Sequence, residues 1–271
     1  MIYDCFQFNN ELDLLEIRLN HHGAFVDKFI LIESTKTYNG ADKPLHFYEN
    51  REKFSAFRHK IYHIITDFPF ETNAGWKYEH MQRNILRGFT FPKDDLILYS
   101  DCDELVKPEV FQKISDASDI WHLQMDLFFY FFNVRLKASF GNDNYHLNPC
   151  FQNKFHMAKI IRASALLGFE NIYEIRQYQI ECPEQRILIT NAGWHFSNSG
   201  PADRILAKFQ AFSHWNEPLF NGVSKETIEK NKKELRDPLG RNVEYEIVNE
   251  SDLPQYIVSN RGKYGSYFYE S

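Results

Sequence analysis

Leu96-Ile97-Leu98-Tyr99-Ser100 runs directly into Asp101-Cys102-Asp103-Glu104. Five mostly apolar, strand-forming residues end in three carboxylates. Residues two apart on a strand share a face, so Asp101 and Asp103 are expected to project together. In open α/β sheets, ligands bind beyond the carboxyl ends of the strands. Paired carboxylates at that place are hard-oxygen ligands suited to Mg²⁺ or Mn²⁺, with substrate phosphates completing the shell. The plainer alternative is that these acids solvate a turn or precede the helix start at Pro108-Glu109. An isolated Asp-x-Asp does not separate the two.

Working outward, the first half alternates strand-like and helical segments. Residues 2–6, 29–32, 60–65 and 96–100 read as strands. Between the first two, Leu12, Leu15 and Leu19 fall on one helical face, with Asn9 or Asn10 as the expected cap and Gly23 as the stop. Residues 74–88 form a second helix carrying Trp76, Met81 and Ile85. Such alternation predicts an α/β fold with a mostly parallel central sheet, right-handed crossovers and flanking helices. The middle differs: residues 120–132 are a long aromatic strand, followed by short strands and turns such as Phe140-Gly141-Asn142-Asp143. Ser199-Gly200-Pro201 begins a helix with Ile205, Phe209 and Phe212 on its apolar face, and a polar helix covers residues 225–235. No repeat or linker interrupts the chain. One continuous domain over residues 1–271 is expected, with a smaller mixed-strand region in its second half.

The 271 residues are 43% hydrophobic and 25% charged, enough for a substantial core. Aromatic content is high, and tyrosines beyond core needs suit stacking on sugar rings or a base. A net charge of −6 argues against nucleic acid as a partner. Cys5, Cys102, Cys150 and Cys182 have neither paired nor zinc-like spacing, which predicts four reduced thiols. The start at Met1 lacks the basic head and apolar run of a signal peptide, and no apolar run approaches a membrane span, so a cytoplasmic protein without an integral membrane segment is expected.

Three further segments carry chemistry-bearing residues. In Ala192-Gly193-Trp194-His195-Phe196-Ser197, His195 is either a packed histidine or an imidazole completing a site begun by carboxylates. Gly193 would permit close backbone approach. In Glu79-His80-Met81-Gln82-Arg83-Asn84, the polar residues are an exposed helix face by default, with Arg83 the candidate for binding a diphosphate. Arg58-His59-Lys60 reads as a surface cluster.

Taken together these motifs resemble glycosyltransferase family 17. The resemblance begins with residues 8–19, Val26-Asp27-Lys28-Phe29, Glu33-Ser34, Lys43-Pro44-Leu45-His46-Phe47 and Phe57-Arg58-His59-Lys60. It continues through Gln82-Arg83-Asn84, Ser100-Asp101-Cys102-Asp103-Glu104, Gly193-Trp194-His195-Phe196-Ser197, and Lys208 with Phe212-Ser213-His214. It implies a GT-A-like α/β fold and an inverting glycosyltransferase with a UDP-sugar donor, UDP-GlcNAc being the family precedent. The nucleotide-sugar-binding half is then residues 1–118, and residues 119–271 form the acceptor-side half with the C-terminal helices. One departure stands out: Leu105-Val106 follows the acidic run where the family has Ile-Pro, with proline delayed to Pro108.

The site expected on this basis has Asp101, Asp103 and His195 as metal ligands for Mn²⁺ or Mg²⁺. Asp101 also contacts the ribose, and Arg83, Lys208, Trp194 and Glu33 contact the donor, Glu33 through uridine. An inverting reaction needs a general base near the acceptor hydroxyl. Glu104 is the positional candidate for that base, with Asp126 and Glu170 weaker, and Asp103 is catalytic as the direct metal ligand. Alanine at Asp101 or Asp103 is expected to abolish transfer and leave the fold intact. The acceptor class spans glycans, lipid-linked glycans and small glycosides. Two other readings share parts of this chemistry: a metal-dependent phosphoesterase and a non-catalytic carbohydrate-binding protein.

Overall fold

The computed structural model describes residues 1–69, 75–140, 154–177, 187–213 and 218–270. Cys150, Cys182, His214 and the turn at residues 141–143 lie outside them. In chain order the strands are β1 (Ile2–Phe8), β2 (Lys28–Ser34), β3 (Ile61–Thr66), β4 (Leu96–Tyr99), β5 (Glu104–Val106), β6 (Ile120–Phe129), β7 (Val134–Ser139), β8 (Lys159–Arg162), β9 (Ile187–Ser197) and β10 (Val243–Ile247). The helices are α1 (Leu12–His22), α2 (His46–Asn50), α3 (Gly75–Asn84), α4 (Ile172–Gln177), α5 (Ala202–Ala211), α6 (Lys225–Lys233) and α7 (Gln255–Ser259). Among the described residues, no helix is long and apolar enough to cross a membrane.

The chain forms two compact units, and β6 and β9 each run from one into the other. The first comprises Met1–Gln124 and His156–Gly193. Its parallel core is β4-β1-β2-β3, the mostly parallel centre that the alternation predicts. β8 adds antiparallel to β4 on one side and to Ile120, Trp121 and His122 of β6 on the other. Alternation along β1 and β2 sends side chains to two separate cores. Cys5, Ile30 and Ile32 join Ile97, Tyr99, Ile161, Ile172 and Ile175 in one; Phe6, Phe8, Phe29 and Leu31 join Leu15, Leu19, Phe47, Phe54 and Cys102 in the other. A sheet covered on both faces explains why these strands read as unbroken apolar runs.

Helix α1 presents the expected Leu15 and Leu19 to the second of these cores. Its start differs from expectation. The N-cap position is Glu11, with no side-chain cap, and the Glu11 carboxylate accepts instead from the backbone N–H groups of Asn9 and Asn10, both at 3.0 Å. That carboxylate braces the segment leading into the helix, and the side-chain cap predicted for asparagine is not formed. Pro108 opens a 3-10 turn, Pro108–Lys113, rather than an α-helix.

The second unit comprises Met125–Phe155 and Trp194–Ser271. β7 pairs antiparallel with β10 and with the end of β6. Phe132 is its aromatic centre, stacked on Tyr267 at 4.8 Å and edge-on to Phe196 at 4.9 Å. Ile205 and Phe209 of α5 are buried as the apolar face predicts, and α6 begins with a Ser224/Thr227 capping box.

Candidate active site

The turn after β4 is built from inside the first unit. The Glu104 N–H donates to the Asp101 carbonyl at 3.0 Å, and the Asp101 N–H donates to Glu104 Oε2 at 3.0 Å, closing residues 101–104 twice. Beneath it lies Arg18 of α1, completely buried. Its Nη1 donates to the carbonyls of Asp101 (2.7 Å), Glu104 (2.7 Å) and Cys102 (3.4 Å), while Nη2 reaches Ser100 Oγ and Asp4. Arg18 Nε also donates to Asp4 Oδ2 at 2.9 Å. A planar five-donor fork satisfies this many acceptors at once, which lysine does not. Burial pushes the Asp4 carboxyl up, but Arg18 and His22 outweigh it and hold it below the usual carboxylate range.

His22 completes this inner layer. Its Nδ1 is 2.7 Å from Asp4 Oδ2, and its Nε2 accepts the Val106 N–H at 2.9 Å. A ring that accepts at Nε2 is neutral, with its proton on Nδ1. Burial moves the His22 pKa down to about 4, despite Asp4. Asp4, Arg18 and His22 were not among the expected site residues. The available signal was a carboxylate inside an apolar strand and a guanidinium among the leucines of α1.

The outer layer uses two more arginines. Arg83 of α3 donates to Asp101 Oδ1 at 2.9 Å and to Glu79 at 2.8 Å. Arg176 of α4 donates from Nη2 to Asp101 Oδ2 at 2.9 Å and to Glu104 Oε1 at 3.0 Å. Partial burial raises the Asp101 carboxyl, and Arg176 and Arg83 more than offset it, leaving it below its ordinary range. Both Asp101 oxygens thus serve guanidinium groups, a different use from the expected metal and ribose contacts. This also corrects the expectation that its removal spares the fold, because two guanidiniums would then meet without their shared carboxylate. Glu104, the positional candidate for the base, is wholly buried: Oε2 accepts the Asp101 N–H within the turn and Oε1 accepts from Arg176 of α4. Asp103 is buried as well, and its carboxylate and that of Glu104 offer oxygens within 4.8 Å of each other.

Arg83, the candidate for binding a diphosphate, is brought to the acidic turn, where it faces Asp101. Glu33, fully buried at the end of β2, belongs to another set: it accepts the Phe47 N–H at 2.9 Å and lies 2.9 Å from His63 Nε2. Nearby, past the carboxyl end of β2, is a small recess lined by Ser34, Lys36, Tyr38, Phe68, Tyr78 and Gln82. The Tyr38 hydroxyl sits between Gln7 (2.8 Å) and Gln82 (2.9 Å). Gln82 and Arg83 are neighbours on α3, one serving the recess and the other the acidic turn.

Trp194, His195 and Lys208 belong to the second unit. The Trp194 indole N–H donates to the Asp252 carbonyl at 2.6 Å, and the His195 ring packs on Phe155 at 4.1 Å. Lys208 is half-buried on α5. Asp126 is paired with Arg135 and Lys154. In Arg58-His59-Lys60, Arg58 pairs with Glu52 at the surface as expected, whereas Lys60 donates to the carbonyls of Gly23 and Val26.

The first unit is thus an α/β protein with a carboxylate turn and an adjoining recess at the carboxyl ends of its parallel strands, where such sheets bind ligands. The chain belongs to glycosyltransferase family 17, whose sequence model matches residues 1–145. The resemblance read from the motifs is borne out over residues 1–145, the motifs at residues 193–197 and 208–214 lying beyond the matched stretch, and the expected enzyme class, a glycosyltransferase, is that of the family. Relatives include the β-1,4-mannosyl-glycoprotein 4-β-N-acetylglucosaminyltransferases of Rattus norvegicus and Homo sapiens, each 28% identical over 145 residues. These matches cover 48% of this chain and 27% of the relatives, so the chain spans about a quarter of their length. Solved structures that are similar include glucosyl-3-phosphoglycerate synthase of Mycobacterium tuberculosis, at 11% identity and a TM-score of 0.41, with 76% of each chain covered. Another is the inositol-1-phosphate CTP transferase of T. maritima, at 13% identity and a TM-score of 0.37, covering 77% of this chain and 96% of that one.

Proposed function

We propose that this chain transfers a sugar, GlcNAc, from UDP-GlcNAc to a hydroxyl of a glycan, lipid-linked glycan or small glycoside, with inversion and with Mn²⁺ or Mg²⁺. The observation that carries this reading is the buried Asp103–Glu104 carboxylate pair at the carboxyl end of β4, in a chain of family 17. The Asp103 carboxylate is a hard-oxygen donor suited to a hard divalent ion, while Glu104, its oxygens taken by the Asp101 N–H and Arg176, holds the turn beside it. Asp103 is the protein ligand in this proposal, supported by Glu104. His195 is the candidate imidazole on the sequence reading alone. Bound there, the ion supplies Lewis-acid stabilisation of the charge that develops on the departing nucleoside diphosphate.

The remaining work falls to the chain's own residues. Arg18 holds three carbonyls of the turn, so the turn's shape is set before any ligand arrives; such preorganisation is what electrostatic stabilisation requires.

Thermal unfolding with UDP, UDP-GlcNAc and other UDP-sugars, each with Mn²⁺ or with EDTA, tests this reading. A ligand at a hundred times its Kd stabilises by about 2.7 kcal/mol. UDP-GlcNAc is expected to raise the melting temperature with Mn²⁺ and to do little in EDTA, and Asp103→Asn is expected to remove that gain. Equal shifts in EDTA would overturn the metal's role.

A further inference from the structure

The arrangement around Asp101 is asymmetric within the acidic motif. Two guanidiniums from separate helices converge on this one carboxylate: Arg83 takes Oδ1 and Arg176 takes Oδ2. Arg176 uses the same Nη2 for Glu104 Oε1, so a single nitrogen ties both ends of the turn together from outside. Positive charge on both sides of Asp101 disfavours a cation there. Arg176 is itself buried, with only 5% of its side chain exposed. Its Nη1 is also buried and has no hydrogen-bond acceptor among the described residues. A buried donor left unsatisfied is destabilising. The side-chain hydrogen bonds Arg176 does make among the described residues are all with the two carboxylates that flank Asp103.

We infer that Arg176 is a positioning residue: its grip on Asp101 and Glu104 orients the acidic turn so that Asp103 is the member that meets the cation. This rests on the metal-dependent reading proposed above. Arg18 fixes the carbonyls of the turn from within, Arg176 and Arg83 fix its flanking carboxylates from without, and Asp103 lies between them. Residues that orient a metal-binding turn without touching the metal are expected to act as outer-shell partners do, changing metal affinity by about 10–100-fold when removed.

The test is Mn²⁺ binding by the intact chain, with and without UDP, followed by electron paramagnetic resonance of the free ion well below the melting temperature. Circular dichroism confirms that each variant is folded. Arg176→Met is expected to weaken Mn²⁺ binding by about tenfold or more. Arg176→Lys, which keeps the charge and a donor, is expected to recover part of that loss. A purely structural role would lower the melting temperature of both variants and leave Mn²⁺ affinity at the wild-type value. That outcome overturns the inference while the metal reading stands. If Arg176→Met does not fold, Arg176→Lys decides: weakened binding in the folded protein supports the inference, and wild-type binding overturns it. A wild-type chain that takes up no Mn²⁺, even with UDP, overturns the metal reading and this inference with it.

Discussion

Asp101 and Asp103 sit two residues apart in one short motif, yet their neighbours give them different work. Asp101 separates Arg83 from Arg176, so Asp101→Ala is expected to destabilise the fold by about 3–5 kcal/mol, the range for breaking a buried ion pair. Its exposure of 33% places the outcome toward the lower end of that range. Urea unfolding checks this, and an unchanged midpoint would contradict it. His22 makes a second prediction. Its folded pKa of about 4 lies below the usual 6.5, so the unfolded chain takes up a proton first as pH falls. Stability from this residue is complete above pH 6.5 and drains away between there and about pH 4, by about 3 kcal/mol in all. Asp4 acts in the same direction lower down, because its depressed pKa protects stability only above the normal carboxylate range. Nuclear magnetic resonance of the His22 ring should show it neutral at pH 5; titration near 6.5 would refute the lowered pKa.

Between β5 and β9 the chain allows no side chain at Gly193, where an added Cβ would stand 1.9 Å from the Leu105 carbonyl oxygen. Gly193→Ala is expected to force the strands apart and lower stability by about 1–3 kcal/mol, the usual range for overpacking. Gly168→Ala is the control, since nothing lies within 4 Å of its added Cβ. Equal melting temperatures for the two variants would contradict the close approach. Elements of this kind were largely readable from the chain. Periodicity located α1, α3, α5 and the parallel strands, because each buries a regular face or both faces of a strand. The acidic run and Arg83 were legible because carboxylates ending an apolar strand are chemically conspicuous. Arg18, Asp4 and Arg176 were not, since their value comes from partners far off in sequence: Arg18 reaches Asp101 across 83 positions and Arg176 across 75. The burial of Glu104 is hidden for a related reason: its position beside the motif suggests access, whereas the turn folds it inward.

Across the whole molecule, the stretch that matches the family model, residues 1–145, is shorter than what the first unit needs to close its sheet. β8 pairs with β4 from residues beyond that limit and supplies buried Ile160 and Ile161, and α4 brings Ile172, Ile175 and Arg176. A fragment of residues 1–145 would leave β4 with an open edge and half of one core missing. It is therefore expected to be insoluble or to melt without a cooperative transition; a sharp thermal transition in that fragment would refute this. Cys102, the residue between the two aspartates, packs with Phe6, Leu15 and Phe29 beneath the sheet. Its identity is thus answerable to interior volume as much as to chemistry. A bulkier occupant would lift both acids off their supports together, so tolerance to replacement at that middle letter should follow size, with alanine or serine accepted and tryptophan rejected.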